Sequence, residues 1–347
     1  MAGNLPTIYT PQVMIEAMKQ NPRPTTFLAD LLVRKRTAEV SDIVSIDIEK
    51  GGRRVSSYVT RTANPLAVGK KGFSTNMHNT PYIAEEITYT AKDVMDRLPG
   101  ESPYSGNTPG SRRAKRVADW LADLQDRIIR REEQQIAEAL QTGKLAITGD
   151  GVSYSVDYQM AANHIVTLTG SDLWTSTGDK LAQFEAWAQL IRDAAAPGVT
   201  DIILGTSAAA YLLKDTEFRE EMKTTSGMNN IQFDIANDAA QEHTSLGILR
   251  RPGLTANLHV YQGQYTDESG VATPYIDPKK VVFVSRAMRS EFHYGPIYNL
   301  LHGTMVAERF PYMYEDENGK SGHVALESSP LFGLHQPDSV VVAKVIA

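Results

Sequence analysis

Cysteine is absent from the 347 residues, which removes disulfides, thiol nucleophiles and thiolate metal ligands in one step and fits a reducing compartment. Also missing is any run of about eighteen apolar residues, and the opening MAGNLPTIYTPQ has no basic segment followed by an apolar stretch. A soluble, unexported chain without membrane contact is expected. No G-x-x-x-x-G-K-[ST] phosphate loop occurs, and no G-x-G-x-x-G follows a strand. The eight histidines form no H-E-x-x-H or H-x-H pair, so neither a metal centre nor a cofactor is read from them. DENGKSGH, from Asp316, opens like a calcium loop but lacks its terminal glutamate, and reads as a surface turn. The nearest approach to a catalytic motif is GTSAA, which places Ser207 on a strand-to-helix turn. The second glycine of a nucleophile elbow is replaced there by Ala209, and helix capping explains Ser207 or Thr206 without catalysis. A hydrolase using Ser207 is the alternative to a protein that is not an enzyme.

What is present is ordinary globular composition, 41% hydrophobic and 22% charged, with a net charge of -6 and a pI near 5.8. That balance argues against coating nucleic acid, although not against enclosing it without adhesion. The length suits two domains or one elaborated domain.

One helix dominates the pattern. From Ser111 to Thr142, Val117, Trp120, Leu121, Leu124, Ile128, Ile136, Ala139 and Leu140 recur three or four apart. At about 1.5 Å per residue it spans roughly 45 Å. Ser111 is the expected N-cap and Gly143 the expected left-handed terminator. The stripe breaks at RREEQQ, where Glu132 and Glu133 read as a solvated face. Arg112, Arg113, Lys115 and Arg116 crowd the helix start, where the macrodipole disfavours each cation by a few tenths to about 1 kcal/mol and calls for compensation from outside.

A second peculiarity is an absence of one sign of charge. From Gly51 to Ala84 there is no acid, whereas Arg53, Arg54, Arg61, Lys70 and Lys71 add five positive charges to an acidic chain. Such a segment repels itself and lacks internal partners. It reads as a projecting two-stranded arm that orders against acidic groups of another copy. DIVSIDIEK before it and YIAEEITYT after it read as paired strands. Upstream, TPQVMIEAMKQ and TTFLADLLVRKR are two short helices separated by NPRP. The second has Phe27, Leu28, Leu31 and Leu32 on one face, packed either on its own domain or on a neighbouring subunit.

Beyond Gly143 the chain alternates strands with amphipathic helices. KLAITGDGVSYSVDYQMA and HIVTLTG are strands, DKLAQFEAWAQLIRDAAAPG is a helix, VTDIILG is a buried strand, and TSAAAYLLKDTEFREEMK is a second helix. HVYQGQY, TPYI, KVVFVS, HVALES and SVVVAKVIA complete the strands. The first and last parts are expected to share a sheet, with residues of roughly 180 to 305 inserted as a second lobe.

RLPGESP, the basic helix start and EALQTGKLAITGDG, together with FLADLLVRKR, YQGQY, YIDPKKVVFVSRAMRSEFHYGPI and ALESSPLFGLHQPDSVVVAKV, resemble the major capsid proteins of lambda-like tailed phages, the major capsid protein E family. The matches stand in family order over nearly the whole chain. The resemblance implies an α+β chain of the HK97 fold, with an N-terminal arm (1–40), strands and an extended E-loop (41–92), and a peripheral P-domain (93–180) containing the spine helix 111–142. An axial A-domain (181–305) and strands returning to the P-domain (306–347) complete it. It further implies self-assembly as pentamers and hexamers into an icosahedral virion shell around double-stranded DNA, built in the host cytoplasm. Scaffolding and portal proteins are implied partners, with reinforcement by a decoration protein rather than by a crosslink from Lys70 or Lys71. Subunit contacts are expected at Phe27, Leu31, Leu32, Arg53, Arg54, Arg61, Lys70, Lys71, Phe73, Arg112, Arg113 and Arg116, with no catalytic, cofactor or metal residue.

Overall fold

The computed structural model describes residues 10–20, 26–49, 52, 55–61, 64, 73–96, 108–149, 151–226, 242–300 and 303–347. In chain order the elements are α1 (Pro11–Gln20), α2 (Phe27–Leu32), β1 (Lys35–Ala38), β2 (Ile43–Glu49), β3 (Phe73–Asn79), β4 (Ile83–Thr90), α3 (Ala91–Met95) and α4 (Pro109–Thr142). There follow β5 (Lys144–Gly149), β6 (Val152–Asp157), β7 (Ile165–Thr167), α5 (Lys180–Asp193), β8 (Asp201–Leu204), α6 (Thr206–Lys214) and α7 (Thr216–Ser226). Next come β9 (His243–Arg251), β10 (Leu254–Tyr261), β11 (Gln264–Thr266), β12 (Ala272–Pro274), β13 (Lys280–Val284) and β14 (Ser290–Tyr294). The chain closes with β15 (Ile297–Asn299), β16 (Gly303–Met305), β17 (Phe310–Glu315), β18 (Ser321–Ser328), β19 (Pro330–Leu334) and β20 (Val341–Lys344). The architecture is α+β.

Helix α4 is the long helix of the apolar pattern, with its start displaced. Its N-cap is Thr108, whose hydroxyl accepts from Ser111 N at 3.3 Å, and Pro109 fills the first turn where its missing N–H is harmless. Ser111, the expected cap, is therefore already helical. The end falls at Gly143 with φ 68°, and a Cβ there would lie 2.7 Å from Met160 Cβ, so conformation and space both require glycine.

Three apolar clusters divide the molecule. The first half of α4 buries Val117, Leu121, Leu124 and Ile128 against Tyr89, Met313, Val324 and Leu326 of the sheet β17-β18-β4, and against Met14 and Met18 of α1. Its second half buries Ile136, Ala139 and Leu140 with Leu28 and Leu32 of α2, and with Tyr294 and Phe332 of the sheet β1-β14-β19. The third cluster is a separate lobe. Phe184, Trp187 and Ile191 of α5 and Ala208 and Leu212 of α6 pack on a six-stranded sheet of order β7-β20-β13-β8-β10-β9.

Several pairings differ from expectation. β4 does not return beside β2; it pairs with β18 (Ile87 opposite Val324), while β2 pairs with β3 (Ile46 opposite Asn76). The reason is burial, since β4 turns Ile87 and Tyr89 toward the first half of α4, whereas Ile46 of β2 belongs to the cluster around its second half. The β4–β18 pairing does join the early and late parts of the chain in one sheet. The last strand leaves them, because β20 enters the axial lobe between β7 and β13. That lobe is therefore not confined to 181–305. The helix expected over TSAAAYLLKDTEFREEMK breaks at Asp215, whose carboxylate accepts from Glu217 N and Phe218 N and starts α7. The N-cap of α6 is Gly205 rather than Thr206 or Ser207.

The RREEQQ interruption proves to be the opposite of a solvated face. Glu132 and Glu133 are each 1% exposed. Glu132 accepts from Arg36 at 2.8 Å, Arg309 at 2.9 Å and the Tyr294 hydroxyl at 3.0 Å. Glu133 accepts from Leu28 N at 2.7 Å, Ala29 N at 3.0 Å and the Tyr261 hydroxyl at 2.9 Å. It thereby caps α2, whose own N-cap Thr26 makes no side-chain bond.

Two stability predictions follow from this pair. Glu132→Ala removes from the half-buried Arg36 and Arg309 the carboxylate that both contact, and is expected to cost about 3 kcal/mol in urea unfolding. Burial outweighs three donors at Glu133 and pushes its carboxyl up to about 7. Its contribution to stability is thus full below the ordinary glutamate value and is lost as pH rises through about 7. Thermal unfolding of Glu133→Gln between pH 5 and 8 should show a flatter dependence than the native chain.

Candidate assembly surfaces

Strands β2 and β3 form an isolated pair. Alternation gives the ribbon two unlike faces. Val44, Ile46 and Ile48 are buried on one, at 5%, 1% and 1% exposure. The opposite face carries Ile43, Met77 and Phe73 at 50%, 74% and 66% exposure. Cross-strand register sets them among Ser45, Asp47, Glu49 and Thr75. Beyond the ribbon Val55 and Tyr58 are 91% and 103% exposed, and Arg61 also faces solvent. Two-stranded ribbons are marginal alone, and this one spends large apolar side chains on water. Arg53, Arg54, Lys70 and Lys71 lie outside the described residues. The β2–β3 pair flanks the expected arm, most of which lies outside the described residues, and Phe73 is in strand β3 rather than in a plain loop.

Other expected contact residues are engaged within the chain. Phe27, Leu31 and Leu32 are 8%, 9% and 0% exposed, and Phe27 stacks on His243 with ring centroids 4.4 Å apart. They are core, not interface, because the α2 helix is clamped to α4 through Glu133. With Met14 and Met18 also buried, the arm from α1 onward lies on its own body.

The arginines at the start of α4 also find internal compensation. Arg113 bonds the Tyr89 hydroxyl at 2.6 Å, stands 5.6 Å over that ring and pairs with Glu315. Arg112 donates to Met95 O at 3.2 Å and Arg116 to Asp96 O at 3.1 Å, which are carbonyls at the end of α3. The negative end of one short helix thus offsets the positive end of the long one.

The outward face of β17-β18-β4 is acidic and aromatic. Tyr314 stacks on His323 with centroids 4.4 Å apart and donates to Glu86 at 2.6 Å, while Tyr82 and Tyr312 donate to Glu327 at 2.7 and 2.8 Å. Glu86 remains 45% exposed there, whereas Glu85, its neighbour in the strand, points to the α4 side and reaches Arg127 at 3.5 Å. The sequence reading missed this face, although the alternation in FPYMYE was legible.

Two buried polar clusters were also invisible locally. Asp201, fully buried, takes a two-pronged contact from Arg286 at 2.6 and 2.7 Å, with His259 at 3.0 Å and Thr200 at 2.7 Å, and these donors hold its carboxyl well below the usual range. Glu291, His293 and His335 form the other, with His335 held below the ordinary histidine value by burial. Ser207 is half-buried in the first turn of α6, and among the described residues no histidine is hydrogen-bonded to it. Among the described residues no helix is long and apolar enough to cross a membrane.

A helix of 34 residues, a three-stranded sheet packed along it, a separate lobe on a six-stranded sheet and a two-stranded ribbon make up the described α+β fold, and comparison with known proteins gives its class. Residues 10–345 match the family model Phage major capsid protein E, and the chain belongs to that family. It is 22% identical over 350 residues to the P21 prophage-derived major head protein of Escherichia coli O6:H1, covering 97% of this chain and 99% of that protein. The major capsid protein of Escherichia phage lambda is 23% identical over 345 residues, covering 96% and 98%. In structure the chain is similar to a prophage protein of Escherichia coli CFT073 assigned to the capsid, with a TM-score of 0.74, 19% identity and complete coverage of both chains. It is likewise similar to the capsid of Ralstonia phage GP4, with a TM-score of 0.52, 11% identity and coverage of 94% and 93%. The protein is a structural major capsid protein of the HK97-like fold and not an enzyme.

Because Arg113 acts within the chain, its loss should register before any assembly. Arg113→Ala is expected to destabilise the unassembled subunit by about 1–3 kcal/mol, read by urea unfolding.

Proposed function

We propose that this chain closes into pentamers and hexamers of an icosahedral shell around double-stranded DNA, through contacts in which the projecting β2–β3 ribbon and its acid-free connection dock on the acidic aromatic face of β17-β18-β4 in the next copy. The observation that carries this is the mismatch on the ribbon: Phe73 and Met77 are exposed on a two-stranded element next to a segment with five cations and no acid. Glu86 and the stacked Tyr312 and Tyr314 supply the opposite sign and stacking surfaces. Donor ribbon and acceptor face lie on different parts of one chain, and used head to tail such a contact is heterologous and gives rings where its rotation closes.

Each contact works best when weak enough to be corrected, on the order of 4–8 kcal/mol, or millimolar to micromolar affinity. Durability then comes from closure. The net charge of -6 keeps packaged DNA from adhering to the wall. Scaffolding, portal and decoration proteins complete the reading as partners in the host cytoplasm.

Sedimentation velocity and negative-stain microscopy, with the chain alone and with its scaffold, test this directly. Closed particles are expected, and small monodisperse species under every assembly condition would refute the proposal. Phe73→Ser with Met77→Ser should reduce particle yield at least about tenfold while changing unfolding free energy by no more than about 0.5 kcal/mol, because both side chains already face water.

A further inference from the structure

Two histidines and a glutamate converge at the root of the ribbon. Glu291 and His293 stand two apart on β14 and so face the same way. His335 follows β19, two residues past Gly333, which lies directly opposite Glu291. The three are 6%, 6% and 2% exposed. His335 Nε2 lies 3.0 Å from Glu291 Oε1, His293 Nε2 lies 3.9 Å from the same oxygen, and the three atoms fall within 4.8 Å of one another.

The other nitrogen of each ring is already committed. His335 Nδ1 sits 2.9 Å from the Asp47 carbonyl, which can only accept, so that nitrogen carries the proton. His293 Nδ1 lies 3.0 Å from a carboxylate oxygen of Glu39. With each Nδ1 engaged in this way, Nε2 is the ring atom left on the Glu291 side, and neither Nε2 has a hydrogen-bond partner. Electron-rich atoms at these separations need a cation between them.

The charged groups around the cluster do not fill it. Arg289 reaches Glu291 Oε1 at 3.4 Å and Glu49 at 3.2 Å, and Lys35 reaches Glu291 Oε2 at 3.7 Å. Both are more than half exposed, at 54% and 67%, and neither engages a histidine Nε2. Gly333 keeps room beside His293, since a Cβ there would come within 3.2 Å of its Nε2.

We propose that Glu291, His293 and His335 bind one late divalent transition metal ion, zinc by preference, through Oε1 and the two Nε2 atoms. Imidazole and carboxylate donors suit that ion. Tetrahedral zinc spaces its ligand atoms by roughly 3.3 Å, and the 3.0 and 3.9 Å separations bracket that value. Glu39 and the Asp47 carbonyl are the outer partners that fix ring orientation in such sites. Asp47 belongs to β2 and Glu39 to the turn leading into it, so the ion would tie the root of the ribbon to the β14–β19 sheet.

The test is independent of assembly. Untagged full-length chain, stripped by chelator and dialysed, is titrated with Co2+ and Zn2+. One ion per chain by elemental analysis, the intense visible bands of four-coordinate cobalt and a higher Tm with zinc are expected. His335→Asn and His293→Asn keep an amide donor near Asp47 or Glu39 but delete Nε2, and each should weaken binding by more than the 10- to 100-fold typical of losing an outer partner. Glu39→Gln should fall within about 10- to 100-fold. X-ray absorption of the zinc-loaded native chain, which needs no variant to fold, should report two imidazoles and a carboxylate. Retention below about a tenth of an ion per chain, an all-oxygen shell, or undiminished binding in both asparagine variants overturns the proposal.

Discussion

Two adjacent carboxylates in the middle of the long helix hold the subunit together. Removing an ion of that size from water costs several kcal/mol even after relaxation, so Glu132 and Glu133 at 1% exposure are tolerated only with complete sets of donors. Those donors come from Leu28, Ala29, Arg36, Tyr261, Tyr294 and Arg309, which means α2, β1, β10, β14 and the approach to β17 must all meet one turn of α4. Helix α2, six residues long and without a local cap, is specified by this contact as much as by its leucines.

The same logic recurs at the other joints. Asp201 fastens β8 to Arg286, just past β13, and to β10, while Glu291 with its two histidines lies between β14, β19 and the start of the ribbon. Apolar clusters fill the bodies and satisfied charges sit where bodies meet. Apolar contact is non-directional and charge-assisted hydrogen bonds are not, so this arrangement sets the angles between parts.

The ribbon differs from the body in having one face on the core and one on water. Its buried face is anchored through Val44, Ile46 and Ile48, and its outer face is not covered within the described chain. The cationic helix start, which looked like a second docking site, is instead satisfied by Glu315 and by the carbonyl end of α3.

Periodicity and turn chemistry were enough to place the long helix, its Gly143 terminator and the strand-then-helix order of the lobe on the six-stranded sheet, because those signals are local. The ordered series of family-like stretches carried the fold and the capsid role. Pairing partners were not legible: β4 and β3 both alternate acceptably beside β2, and only burial against opposite halves of α4 separates them. Nor could sequence tell that Glu132 and Glu133 are buried, that Phe27 faces inward or that Glu291, His293 and His335 meet. A charge on a helix looks identical in sequence whether its partner is water or an arginine 177 residues away, and tertiary structure alone brings that arginine within reach.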